Sequence, residues 1–272
     1  MTKTVMITME RRETYKEWNW FLFAIRKLDI HKWIIAAEEG KGGYKHWQIR
    51  IASRFDAKWW TRALLIQFGQ RSIHTENASN TWTYEAKEGC YLASWDTLEV
   101  RQQRFGKLRK VQKYALNVLE GTNDRQVMVW VDEEGNSGKS WLIGHLYETG
   151  QAYYAPPYLT SVKEIIQTIA SLAVKDRDAG NPPKKYALID IPRSWKWSNE
   201  LYTAIEAIKD GLIMEPRYSA QPINIKGIKV LVVTNTRPKL DKLSKDRWEI
   251  FEWDNNPTID TYLRGAQEKR TL

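Results

Sequence analysis

An α+β domain followed by an α/β domain with a parallel sheet is the fold class that the sequence predicts, and three observations predict it. The first hundred residues mix short strands, amphipathic helices and tight turns, a mixture that belongs to α+β folds. From residue 127 onward, compact apolar runs alternate with longer helical stretches, the rhythm of a parallel sheet with crossover helices. Between the two lies a basic stretch, Arg101 to Lys113, with six Lys and Arg and no acid. The expected division is therefore 1–100, a basic linker or oligomerisation segment over 101–120, a second domain over 121–260, and a polar tail over 261–272.

Each element has its own signal. Residues 4–9 read as a first strand and residues 15–27 as a helix. Trp33–Ala37 and Trp47–Ala52 read as two strands of a hairpin, joined across the Gly-rich turn at 40–43. Asp56 is placed to cap a helix running through Phe68, and Tyr84–Leu92 reads as one more helix. In the second half, Val127–Val131, Tyr186–Ile191 and Val230–Thr234 are the short apolar runs, with helices expected from Lys139, near 161–174 and near 199–210.

Composition narrows the function classes. The chain has 272 residues, 42% hydrophobic and 28% charged, with a formal net charge of +9. That surplus favours an anionic partner, although a basic run by itself is equally well a solvated helix face. Fourteen Trp is many; Trp serves as core or as a platform for stacking bases. The single Cys, Cys90, excludes an internal disulfide framework and a Cys-based zinc module. There is no signal-peptide pattern and no apolar run long enough to span a bilayer. The expectation is an intracellular protein with no membrane partner.

Gly135-Asn136-Ser137-Gly138-Lys139-Ser140 follows an apolar strand and opens a helix, the context that a phosphate-binding loop requires. Small residues let backbone N–H groups face phosphate oxygens; Lys139 would reach the outer phosphates and the Ser140 hydroxyl would hold magnesium. The strict pattern has Gly where this chain has Glu133, and Asp132 and Glu134 also sit beside the loop. The next apolar run ends in Asp190, which can hold magnesium through water or simply close a turn. The third ends in Asn235, which can orient an attacking water or simply end a strand. Arg247, in Leu-Ser-Lys-Asp-Arg-Trp, is a candidate arginine finger or a surface Arg.

In the first domain, His46-Trp47-Gln48 lies on an expected strand, so His46 and Gln48 share a face. One imidazole with amide or carboxylate oxygens suits Mg2+ or Mn2+ better than zinc. Glu38 and Glu39 end the preceding strand and either can add an acidic ligand. In Tyr84-Glu-Ala-Lys87 the Tyr and Lys are i and i+3 on a helix face. A phenol is a weak nucleophile near neutral pH and needs a cation and a metal-polarised target. A Tyr packed into a core would show the same spacing.

Taken together, these residues resemble two families. Residues 125–255 are similar to the superfamily 3 helicases of viral replication proteins. That resemblance implies ATP at Gly135 to Ser140, magnesium at Asp190, Asn235 as sensor and Arg247 acting across a ring, hexameric in the family. The family carries two adjacent acids after its second strand; here Ile191 follows Asp190. The strand at 4–9, His46-Trp-Gln48 and Tyr84-Glu-Ala-Lys87 resemble the three motifs of HUH endonucleases. The resemblance implies a central antiparallel sheet with flanking helices, with Tyr84 attacking DNA and Lys87 assisting. It implies a metal at His46 and Gln48, with Glu39 as the better acidic ligand and Glu38 second. The first motif reads Met-Glu-Arg-Arg where the family often has an Asn pair. Tyr91 is a fallback nucleophile and His74 fits no motif. The two in this order resemble the replication-associated proteins of circular single-stranded DNA viruses, most nearly the smacovirus group. That likeness implies nicking and rejoining of an origin stem-loop, ATP-driven unwinding, a homo-oligomer and service to a host DNA polymerase. The compartment would be the nucleus of a eukaryotic host or the cytoplasm of a prokaryotic one. The competing expectation is a non-cleaving ATPase stimulated by nucleic acid; a third is a binding module with a degenerate phosphate loop.

Overall fold

The computed structural model describes residues 2–40, 42–69, 72–157, 159, 161–215 and 220–253; the expected polar tail lies outside them. The chain divides into two compact units, one of residues 1–107 with 141–152, the other of 108–140 with 153–272.

The first unit is built on a five-stranded antiparallel sheet of β1 (Lys3–Glu10), β2 (Trp33–Glu39), β3 (Lys45–Ser53), β4 (Ile73–Asn77) and β5 (Tyr91–Ala93), in the order β4-β1-β3-β2-β5. Strict alternation divides its two faces. Val5, Ile7, Met9, Ile35, Trp47, Ile49 and Ile51 are buried on one side with Phe21 and Ile25 of α1 (Asn19–Lys27) and Trp60 and Leu64 of α2 (Ala57–Phe68). The other side carries Thr8, Glu38, His46, Gln48 and Arg50. A one-residue slip of register would exchange these sets, so the apolar stripe fixes which polar residues meet. Asp56 caps α2 by accepting from the Trp59 N–H at 3.0 Å, a bond worth about 1 kcal/mol.

Three elements differ from expectation. The helix expected from residue 15 starts at Asn19, after a 3-10 turn over Glu13–Tyr15. Polar β4 joins the sheet beside β1 with only Ile73 as an apolar signal. Tyr84–Leu92 is not a helix: Tyr84–Ala86 is a 3-10 turn and Tyr91 begins β5. Gly89 stops the helix. It adopts φ +73°, and a Cβ there would collide with the Thr149 backbone, so only glycine fits.

In the second unit β6 (Val127–Val131), β7 (Ala152–Ala155), β8 (Tyr186–Asp190), β11 (Lys229–Thr234) and β12 (Trp248–Glu252) take the order β12-β6-β11-β8-β7. The β6–β11, β8–β11 and β6–β12 pairs are parallel. Val127–Val131 is buried throughout, as a strand covered on both faces should be. Helices α6 (Val162–Asp178) and α7 (Asn199–Asp210) pack into this core, and a hairpin of β9 (Leu212–Glu215) and β10 (Gln221–Asn224) follows α7. Residues 101–120 form the end of α3 (Leu98–Phe105) and most of α4 (Lys110–Gly121), and α5 runs from Lys139 to Glu148. The described residues thus form a mixed α/β architecture, with a five-stranded antiparallel sheet, a five-stranded sheet built on parallel pairs and the two-stranded β9–β10 hairpin. Among the described residues no helix is long and apolar enough to cross a membrane.

Candidate functional site

On the polar face of the antiparallel sheet, the register sets Glu38 opposite His46 and Thr8 opposite Gln48. His46 Nε2 lies 3.5 Å from Glu38 Oε2, and the His46 Nδ1 edge lies 3.3 Å from the Tyr44 carbonyl. A donor at Nδ1 leaves Nε2 as a lone pair facing a carboxylate. Glu38 is only 3% exposed, and its Oε1 has no hydrogen-bond partner. Acceptors gathered in this way fit a cation. Gln48 lies two residues along the same strand face, its Oε1 accepting from Thr8 Oγ1 at 2.7 Å. Among the described residues no three His, Cys, Asp or Glu form a metal cluster. On this face the groups that would hold a hard divalent ion are one carboxylate, one imidazole and one amide oxygen, of Glu38, His46 and Gln48, with water completing the shell. Glu39 stands opposite Lys45 on the other strand face and is exposed. Glu38, not Glu39, is the acid that the register brings to His46.

Lys87 ties the tyrosine to this group. Its Nζ donates to Glu38 Oε2 at 2.6 Å and lies 3.7 Å from the centre of the Tyr84 ring. In a 3-10 turn residues i and i+3 eclipse, so the expected shared face survives although the α-helix does not. Burial pushes the Glu38 carboxyl above its ordinary value against the pull of Lys87. Burial works to lower Lys87, but hydrogen bonds to Glu38 and Tyr84 outweigh it and hold the ammonium above its usual range. Tyr84 is 52% exposed. Together with Met6, Thr8, Gln48, Arg50 and Ser79 it lines a cleft of about 580 Å3.

Sequence reasoning missed what holds the Tyr84 turn in place. Glu85 is fully buried and its Oε1 accepts from Arg50 Nε at 2.8 Å. Arg50 Nη1 also donates to the Ser79 carbonyl at 2.7 Å. Arg50 shares the strand face of His46 and Gln48, and that parity was the available signal. Tyr91 is poorly suited as the alternative nucleophile. Burial pushes its hydroxyl up to about 12, the Arg104 guanidinium lies 3.6 Å over its ring, and its OH donates to Glu148. His74 is exposed on β4, 3.3 Å from Glu76.

In the second unit, Asp132, Asp190 and Asn235 stand at the C-terminal ends of parallel strands β6, β8 and β11. β6 lies between β11 and β12, so the chain's order reverses there, the place where open α/β sheets bind ligands. The loop after β6 converges on one carboxylate. Asp132 accepts from Gly135 N at 2.8 Å, Ser137 N at 3.2 Å, Ser137 Oγ at 2.6 Å and Lys139 Nζ at 2.8 Å. Burial would raise the Asp132 carboxyl, but Lys139, Ser137 and Gly135 hold it well below the usual range. Burial pushes Asp190 up, opposed by Lys139. Asn235 Nδ2 donates to the Asp132 carbonyl at 2.6 Å. Gly135, Asn136 and Gly138 all have positive φ, the curled backbone that turns N–H groups inward.

Two supports of this loop were not anticipated. Buried Gln112 of α4 donates to the Gly138 carbonyl at 2.9 Å. Arg193 Nη2 donates to the Glu133 carbonyl at 2.9 Å. Arg247 is buried rather than presented to solvent, ion-paired to Glu206 at 3.1 Å and Asp210 at 2.8 Å. In the basic stretch, Arg104 is also committed internally, to Asp96 and Glu148 at 2.7 Å each. Neither a family model nor a curated protein matches this chain.

Proposed function

We propose that the chain is a rolling-circle replication initiator of the HUH class. It would nick and rejoin single-stranded origin DNA through Tyr84 and use ATP in its second unit to unwind DNA. The observation that carries this reading is the chain of contacts from Tyr84 through Lys87 and Glu38 to His46 on one sheet face. A divalent cation at Glu38, His46 and Gln48 would polarise the scissile phosphate. The phenolic oxygen of Tyr84, on a side chain about half exposed, would attack phosphorus, its proton passing to solvent. The O3′–P bond breaks, the departing oxygen takes a proton from water, and a 5′-phosphotyrosine and a free 3′ hydroxyl remain. Lys87, held as a cation, lowers the cost of charge on the phenolic oxygen. Attack by that 3′ hydroxyl on the phosphotyrosine reverses the step and rejoins the strand.

The phosphate loop supports ATP binding because its donors already converge on an anion, the Asp132 carboxylate. Ser140 and Asp190 would hold magnesium and Asn235 the attacking water. Arg247 could act across a ring only by leaving Glu206 and Asp210. The test is incubation with Mn2+ and stem-loop oligonucleotides, followed by mass mapping of the DNA-linked peptide. The expected adduct is on Tyr84. A chain that turns over ATP when single strands are added, yet never forms an adduct at any metal concentration, would be the non-cleaving ATPase instead.

The resident carboxylate makes its own prediction. Nucleotide must displace Asp132 from Lys139, a charge-assisted bond worth about 1.5–3 kcal/mol. Asp132→Asn keeps an acceptor for Gly135 N and removes the competing charge. A titration with fluorescent ATP analogue should show binding about 10-fold tighter. Weaker binding would mean that Asp132 only shapes the loop.

A further inference from the structure

We propose that Lys32, Trp82 and Trp95 form a stacking subsite for one unpaired base of single-stranded DNA, a few nucleotides from the bond that Tyr84 attacks. The inference rests on the single-strand reading above and adds where the strand is gripped. Of the fourteen Trp, Trp95 alone is exposed, at 48%; the others are buried or half-buried. Trp82 meets Trp95 edge to face, with ring centroids 5.9 Å apart. The exposed Lys32 ammonium lies 4.4 Å from the centre of the Trp82 ring. Trp82 is fixed by donating Nε1–H to Asn80 Oδ1 at 2.5 Å. Together these present an aromatic plane open to solvent beside a cation, the pair of features that takes a base and its phosphate without reading sequence.

Placement supports the same occupant. Trp82 is two residues from Tyr84, a chain separation of at most about 7 Å. Lys32 immediately precedes β2, whereas Glu38 lies near the other end of that strand, about 20 Å away at strand rise. The Tyr84 turn is anchored between them, with Arg50 opposite Ile34 in mid-strand and bonded to Glu85. A strand whose phosphate sits at Glu38 and His46 would thus pass the tyrosine and reach the indoles within a few nucleotides. The ammonium matches the charge of such a strand and not that of an apolar protein partner.

The experiment measures binding without cleavage. The full chain is titrated, in EDTA, into fluorescein-labelled stem-loop oligonucleotides, either intact or carrying one abasic position at a time. Stacking on an aromatic side chain is strong enough that one abasic position should weaken binding about 10-fold. Trp95→Ala should weaken binding of the intact oligonucleotide to the same extent and no longer respond to that abasic position. Trp95→Phe should keep most of the affinity, which separates stacking from misfolding. Lys32→Gln should lower the salt dependence of binding by about one counterion. Wild-type affinity in Trp95→Ala, or an undiminished abasic penalty in that variant, would overturn the subsite. A missing tyrosine adduct together with an intact Trp95–abasic coupling would instead remove the nicking reading and leave the subsite standing.

Discussion

Tyr84→Phe is expected to lose covalent capture of labelled DNA by a factor of about 10^4 or more, as removal of a nucleophile does, while ATP hydrolysis stays within a factor of about two. The hydroxyl is the only group removed, and the ring can keep its place over the Lys87 ammonium. Tyr91→Phe in parallel should capture DNA normally. The Tyr91 hydroxyl, pushed up to about 12 by burial, would have to be stripped of its proton in a half-buried setting under Arg104 and beside Glu148. Lys139→Ala should show the mirror image, with capture retained and ATP turnover lost. Capture by Tyr84→Phe at the wild-type level would reassign the nucleophile. Loss of both activities in either single variant would mean that the two units do not act separately.

The fold was legible where burial enforces a period and illegible where it does not. β1, β2, β3, β6, β8 and β11 each bury an apolar stripe or run, so their patterns survive in the sequence. β4 has a single apolar residue and is held by its backbone ladder to β1, which leaves little trace in composition. β7, β9 and β10 are four residues each, too short to show a period, and β12 buries only Trp248 and Phe251. The misread helix at 84–92 has another cause. Its residues are compatible with helix, but Gly89 must take a positive φ where the Thr149 backbone approaches. That approach is a long-range fact.

For the candidate site, spacing is enough to place two residues of one strand on a common face, but not to choose between neighbours on different strands. His46 and Gln48 share a face because both are on β3, and period two suffices for that. Choosing between Glu38 and Glu39 needs the β2–β3 register, which pairs Glu38 with His46 and sends Glu39 to the other face. The family resemblance favours Glu39, whereas this register favours Glu38. Tyr84 and Lys87 were paired for a helical reason and meet for a 3-10 one. Strand parity alone points to Arg50, whereas Gln112 and Arg193 reach the loop from far along the chain and carry no local signature.

Glu85→Gln should produce a large structural effect in the first unit. Arg50 is 5% exposed and Glu85 fully buried, so the neutral amide leaves a guanidinium in the interior without its counter-charge. Breaking such a pair costs about 3–5 kcal/mol. Amide exchange over residues 79–91 should therefore quicken by about 10^2-fold or more, with the helix-covered face of the sheet much less affected. Function should fall further than occupancy of the folded state explains. Arg50 holds both Glu85 and the Ser79 carbonyl, so it clamps the turn on both sides of Tyr84, and a shift of about 1 Å in a reacting group can cost 10^2-fold. Replacing the pair together, Arg50→Leu with Glu85→Leu, separates the two effects. Apolar replacement of a buried ion pair is often neutral for stability or better, so exchange should return toward wild type. Capture should remain impaired, because the Ser79 carbonyl and Glu85 both lose their Arg50 tether and the turn is held only from the Lys87 side. If the double variant nicks at the wild-type rate, the pair contributes to folding alone and Tyr84 is positioned by Lys87 and Glu38.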